Sequence, residues 1–145
     1  MAKYNIYAGM GGGFGGLAYQ DTDEFENKEA ADKYARECAI EDYTSYEGYH
    51  GIRSWMECAA DYLVDNGLID DESEAEDYEF SDEEREDIDD IYTEEIEGWI
   101  VYEARLYDED PDKEDVDAEL AARDRRAAEA EEAYRKSVSD RAGRR

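Results

Sequence analysis

Over residues 1–120, acidic side chains outnumber basic ones 39 to 8, a formal charge of −31 on a stretch that must still bury a core. Whatever this chain folds into has to place carboxylates on its exposed sides, using elements that each keep one apolar face. Residues 121–145 reverse the balance with 5 acids and 8 bases, and the whole chain of 145 residues stands at −28. A body this negative repels phosphates. That argues against direct nucleic-acid binding by this body and favours either capture of a basic partner or imitation of nucleic acid.

Charge of this density with a mean hydropathy of −1.01 is often a mark of disorder. Thirteen tyrosines, two tryptophans, a single proline and apolar residues at helical spacing argue instead for a compact domain. Cys38 and Cys58 fall inside expected helices, as free thiols of a reducing compartment would. The early residues lack the pattern of a secretory signal, and no stretch approaches a membrane-spanning apolar length. The expectation is therefore a soluble protein of a host cytoplasm, with no membrane partner.

Residues 3–8 alternate Tyr4, Ile6 and Ala8 against Asn5 and Tyr7, as a strand with one buried face does. The tract GMGGGFGG at 9–16 follows, and residues 17–25 read as a second strand, which makes a hairpin with a long connection. Asn27 is an N-cap for a helix that carries Ala31, Tyr34, Ala35 and Cys38 on one side. A second helix is expected from about Ile52, with Ile52, Trp55, Met56, Ala59, Leu63 and Val64 as its apolar face and Asn66-Gly67 as its stop. Residues 70–80 form an acidic connection.

Ser81 with Glu84 makes a capping box for a third helix expected over 82–107, whose apolar face is Ile88, Ile91, Tyr92, Ile96, Trp99, Tyr102 and Leu106. Pro111 ends it. From Val116 the chain is rich in Ala, Glu and Arg, and Val116, Leu120, Ala127, Tyr134 and Val138 make only a thin stripe, so a weakly docked helix is expected with a frayed end at 141–145. The fold class is α+β: an N-terminal β-hairpin packed on three amphipathic helices in an acidic domain over 1–107, and a mixed-charge C-terminal helix over 108–145.

At ~100° per residue, Glu83, Asp87, Asp90, Glu94 and Glu97 share a narrow sector opposite the apolar face of the third helix. Successive members lie roughly 5–6 Å apart along the axis, comparable with but not matched to the spacing of about 3.4 Å of axis per phosphate on one DNA strand. Such a stripe can enter a groove built for DNA. Asp70 and Asp71 extend the acidic surface, while Tyr78 and Phe80, taken as exposed aromatics, are the expected anchors. The competing reading is a solvated face, of which adaptation to high salt is the particular case.

The glycine tract also reads as Gly11-x-Gly13-x-x-Gly16, a poor match to a dinucleotide fingerprint because a strand follows it. A flexible hairpin connection is the simpler account, with Phe14 folded onto the core or offered to a partner. The alternative is a nucleotide or small-ligand site formed by Gly11, Gly12, Gly13 and Phe14 with Tyr19, Tyr49 and His50. His50 is the single histidine and sits in a turn suited to structure or partner contact. No nucleophile motif and no zinc spacing is present, and Asp108-x-Asp110-x-Asp112 has Lys113 where a calcium loop wants glycine. The expectation is no enzyme, no cofactor and no metal.

KYNIYAGMGGGFGG at 3–16, YEGYHG at 46–51 and EGW at 97–99 give residues 3–105 a resemblance to small acidic proteins of tailed bacteriophages that carry no assigned activity. In size and charge the chain is similar to phage and mobile-element DNA mimics, among them anti-restriction and some anti-CRISPR proteins. That group shares chemistry rather than a motif, so it transfers no residue roles. The resemblance implies an inhibitor that meets the basic nucleic-acid-binding surface of a host defence protein. A ligand-sequestering protein using the glycine loop and a salt-adapted structural or interaction protein are the alternatives, and a homodimer is left open.

Overall fold

A computed structural model of the chain describes residues 1–142. The architecture is α+β, an antiparallel three-stranded sheet with four α-helices. The chain divides into two compact units, Met1–Arg105 and Leu106–Arg145.

In the first unit, β1 (Ala2–Met10) and β2 (Gly16–Phe25) form the expected hairpin, and β3 (Ile100–Leu106) pairs on the other side of β1 to give the order β2-β1-β3. The register slips between Ile6 and Tyr7: Ile6 faces Asp21 while Tyr7 faces Tyr19, which leaves Gln20 as the extra residue of a β-bulge. As the central strand, β1 is buried on both sides from Tyr4 to Met10. Its Tyr4, Ile6, Ala8 and Met10 pack against α1 (Lys28–Tyr46), which offers Ala31, Ala35, Ala39 and Tyr43 at every fourth position. Three alanines in that row let the helix lie close on the strand. On the opposite side Asn5 accepts from the Thr22 hydroxyl at 2.6 Å, and the Arg105 guanidinium lies 4.2 Å from the centre of the Tyr7 ring.

Local signals behave as their chemistry requires. The Asn27 side chain accepts from the Ala30 N–H at 2.9 Å, and Ser81 and Glu84 exchange bonds in a capping box ahead of α3 (Asp82–Trp99). Gly67, at φ 69°, follows the Asn66 cap of α2 (Trp55–Asp65).

Three expectations change. The third helix does not run to residue 107; it stops at Trp99, and Ile100, Val101 and Tyr102 enter β3. Central strand β1 needs a hydrogen-bond partner on its second edge, and β-branched residues suit a strand, so pairing overrides the helical spacing of Tyr102 and Leu106. Pro111 consequently ends no helix; it sits between a 3-10 turn (Tyr107–Glu109) and the helix that begins at Lys113. Helix α2 begins at Trp55 behind a Ser54 cap rather than near Ile52, and its buried residues are Cys58, Ala59, Ala60 and Leu63, with Met56 and Val64 exposed. Ile52 is buried in the preceding loop, against Tyr43 and Ala8. The acidic connection over 70–80 contains a 3-10 helix (Glu72–Asp77) that buries Ala75 against Ala60 and Leu63.

The second unit contains the 3-10 turn and α4 (Lys113–Ala142). Asp110 is buried and accepts from the Asp112 N–H at 2.9 Å, the Tyr107 hydroxyl donates to Asp117, and Val116 is buried. Glu119 accepts from both Arg123 and Arg126 at 3.1 Å, and these cations hold its carboxyl below the usual range. Side chains from Asp124 to Ser139 are exposed, Tyr134 and Val138 among them. The expected fraying at 141–145 falls largely outside the described residues.

Candidate functional site

Helix α3 is anchored by one side. Ile88 is buried with Cys58 and Ala59 of α2, with Ile91, Tyr92 and Trp55 packed beside it, while Ile96 is buried in the cluster that holds Met10 and Ala39. The Tyr92 hydroxyl donates to Glu47, and burial together with that carboxylate pushes its pKa up. Two carboxylates of α3 also serve as tethers to α2: Trp55 Nε1 donates to Asp89 at 2.6 Å and Tyr62 Oη to Asp87 at 3.0 Å. The bond to Asp87 raises the Tyr62 pKa.

The opposite side of α3 is carboxylate. Glu83, Asp87, Asp90, Glu94 and Glu97 are all exposed, as the spacing required. They are not equivalent. Glu97 is paired with Arg36 of α1, and Asp87 accepts from Tyr62. Glu83, Asp90 and Glu94 have no hydrogen-bond or ion-pair partner among the described residues, and Glu86, exposed and equally without one, stands in the same row. Glu86 escaped the sequence reading because it lies ~60° from Glu83 on the wheel, at the edge of the sector chosen. The free row is thus Glu83, Glu86, Asp90 and Glu94, stepped by three, four and four residues over about 16 Å of axis.

Asp70 and Asp71 are exposed, and their N–H groups donate to Glu74 Oε2 at 2.9 and 3.4 Å as the chain turns into the 3-10 helix. Tyr78 and Phe80 correct an expectation: they are half-buried rather than exposed. Phe80 meets Trp55 and Tyr78 edge-on, at ring separations of 5.3 and 5.2 Å. Tyr78 Oη donates to Glu84 at 2.7 Å. These aromatics close the core under the acidic connection and are not free anchors. Their alternation with acids in the sequence looks exposed, but the 3-10 helix turns them inward.

The glycine tract is a shaped loop. Gly11 N–H donates to the Trp99 carbonyl at 2.9 Å, and Gly12, Gly13, Gly15 and Gly16 all have positive φ. Phe14 folds back onto the domain, 4.8 Å from the Tyr46 ring, 5.8 Å from Trp99 and 6.2 Å from His50. Gly12, Gly13, Phe14, Tyr46, His50 and Trp99 line a cleft of about 480 Å³. Of the expected ligand residues, Tyr49 is exposed and does not line it, and Tyr19 bonds Thr22 on β2. Tyr46 and Trp99 replace them. No local signal could have found them, since they lie 32 and 85 residues beyond Phe14 in the chain.

The turn carrying His50 is held by backbone bonds from Gly48 N–H to Ile52 O at 2.8 Å and from Ile52 N–H to Tyr49 O at 2.9 Å. His50 adopts φ 52°, a left-handed conformation uncommon for a residue with a Cβ. Cys58 is buried and Cys38 half-buried, both unbridged, and burial pushes both thiols up. Among the described residues, no group of three His, Cys, Asp or Glu side chains is placed to hold a metal, and no helix is long and apolar enough to cross a membrane.

Searches against protein-family models, curated proteins and solved structures found no match.

Proposed function

We propose that this protein is a phage-type inhibitor that occupies the nucleic-acid-binding surface of a host defence protein of the restriction or CRISPR class, with α3 standing in for a row of phosphates. The observation that carries the reading is the set of uncompensated carboxylates Glu83, Glu86, Asp90 and Glu94 on a helix whose other side is packed. Like charges three and four apart weaken a helix by a few tenths of a kcal/mol per pair. A chain needing only solubility gains nothing from concentrating that penalty on one helix. The net charge of −28 would steer encounter with a basic groove, and the complex would weaken as salt rises.

The test is capture of proteins from a bacterial lysate on the immobilised chain, with duplex DNA as competitor. The expected result is a basic nucleic-acid-binding protein that DNA displaces. It should be lost when Glu83, Glu86 and Glu94 become Gln and Asp90 becomes Asn. Capture that is indifferent to DNA, or unchanged by those four neutralisations, would move the function elsewhere. A melting point that climbs steeply towards molar salt without any partner would favour salt adaptation instead.

A further inference from the structure

A hairpin needs as few as two residues to turn, yet β1 and β2 are joined by a loop of five, residues 11–15, in which Gly12, Gly13 and Gly15 all have positive φ. A Cβ at Gly12 would stand 2.7 Å from Trp99 Cζ3, and φ at Gly12 is 65°, so glycine alone fits there without displacement. The loop carries Phe14 between Tyr46 and Trp99, and none of its ring contacts is a parallel stack. The facing turn is fixed by its own backbone bonds and holds His50 in a left-handed conformation, the kind of local strain that collects at binding sites. The backbone groups of Gly12 and Gly13 make no hydrogen bond among the described residues.

We infer that this cleft receives the guanidinium of an arginine side chain presented by a basic protein partner. Three properties select that occupant. Phe14, Tyr46 and Trp99 supply the aromatic surfaces on which a flat, weakly hydrated cation lies well, and arginine is favoured over lysine on both counts. The uncommitted carbonyls of Gly12 and Gly13 are acceptors for its N–H groups. The charge of −31 over residues 1–120 draws a cation in and opposes a nucleotide, which would bring its own phosphates. A volume of about 480 Å³ is within the range of side-chain and small-ligand sites. The cleft is separate from the acidic row, because Trp99 lies ~160° around α3 from Glu83.

The test uses the intact chain, 15N-labelled, titrated at 0.15 M salt with the capped tripeptide Gly-Arg-Gly, its citrulline and lysine counterparts, and AMP. The arginine peptide should give saturable shifts at the amides of Gly12, Gly13 and Phe14 and at the Trp99 indole, at least fivefold tighter than either counterpart. Phe14→Leu should weaken it about tenfold; if that variant does not fold, Tyr46→Leu, at an exposed ring, serves in its place. Neutralising Glu83, Glu86, Asp90 and Glu94 should leave the localisation of the shifts unchanged, so this result and the lysate result can fail separately. Equal binding of the citrulline or lysine peptide would overturn the assignment. So would shifts spread over the acidic surface, or tighter binding of AMP at the same amides.

Discussion

Gly12 and Trp99 are 87 positions apart in sequence and in van der Waals contact in the fold: a methyl group added at Gly12 would stand 2.7 Å from Cζ3 of the indole. That contact seats the hairpin loop on the end of α3, at the point where the chain leaves the helix for β3.

Gly12→Ala should therefore destabilise the protein by about 2–3 kcal/mol, combining the left-handed backbone with displacement of the indole. Gly13→Ala, with φ 100° but nothing within 4 Å of its added Cβ, should lose only the backbone part, about 1–2 kcal/mol. Urea unfolding of both variants separates the terms. Equal losses would mean that the ring yields without resistance.

The two sides of α3 should respond oppositely to mutation. Ile88→Ala removes a fully buried side chain beside Cys58 and Ala59 and should cost about 3 kcal/mol. Glu86→Gln with Glu94→Gln relieves like-charge pairs with neighbours three and four residues away, and should stabilise by about 0.5–1 kcal/mol at low salt. The gain should shrink as salt is added. A loss of stability in the double variant would reveal a partner for one of those carboxylates.

Replacing Asp87 should not be as innocuous as its exposure suggests. Its carboxylate accepts from Tyr62 Oη, so Asp87→Lys loses a tether between α2 and α3 in addition to changing the surface. Asp90→Asn, with no such bond, should leave the melting midpoint within about 0.5 kcal/mol of the parent. Thermal melts of the two variants, compared at one salt concentration, check the distinction.

Acid unfolding should involve Glu84. Bonds from Tyr78 Oη and from Ser81 hold its carboxyl below the ordinary 4.5. A carboxyl depressed in the fold contributes stability above its unfolded pKa, and that contribution is lost as pH falls through the folded value. The stability gap between the parent and Glu84→Gln should be widest at pH 7 and should close below about pH 4. A gap independent of pH would assign the effect to the cap alone.

Alkaline unfolding should involve Tyr43, fully buried with its hydroxyl donating to the Arg53 carbonyl at 2.5 Å. Burial is the main cause that pushes its pKa up to about 12 from 10.0. A tyrosine raised in the fold contributes fully below its unfolded pKa, and here that contribution drains away between about pH 10 and 12, some 2–3 kcal/mol in all. Tyr43→Phe should be less stable than the parent at pH 7 and should approach or overtake it by pH 12. Parallel pH curves for the two proteins would remove the linkage.

How far the chain could be read depends on how far each signal reaches. The caps at Asn27 and Ser81 are legible because donor and acceptor lie three residues apart. The orientation of α3 was legible for a similar reason, since its apolar and acidic residues alternate with helical period. The end of α3 was not: no glycine or proline separates Trp99 from Ile100, and Tyr102 and Leu106 continue the helical spacing into what is a strand. The register of the buried face of α2 was likewise set by what packs on it, Ile88 and Ala75, rather than by its own hydrophobic residues.

By itself, then, the sequence determined the charge of −28, the hairpin, the caps at Asn27 and Ser81 and the side of α3 that carries carboxylates, all of which follow from composition or from neighbours within a few residues. Tertiary structure decided that β3 exists, that Tyr78 and Phe80 turn inward, which carboxylates of the row are left without partners, and that Phe14, Tyr46, His50 and Trp99 share one cleft. Each of those rests on a contact between residues far apart in the chain. A strand needs an edge to pair with, a ring needs another ring to pack on, and a carboxylate is free only if no distant donor reaches it.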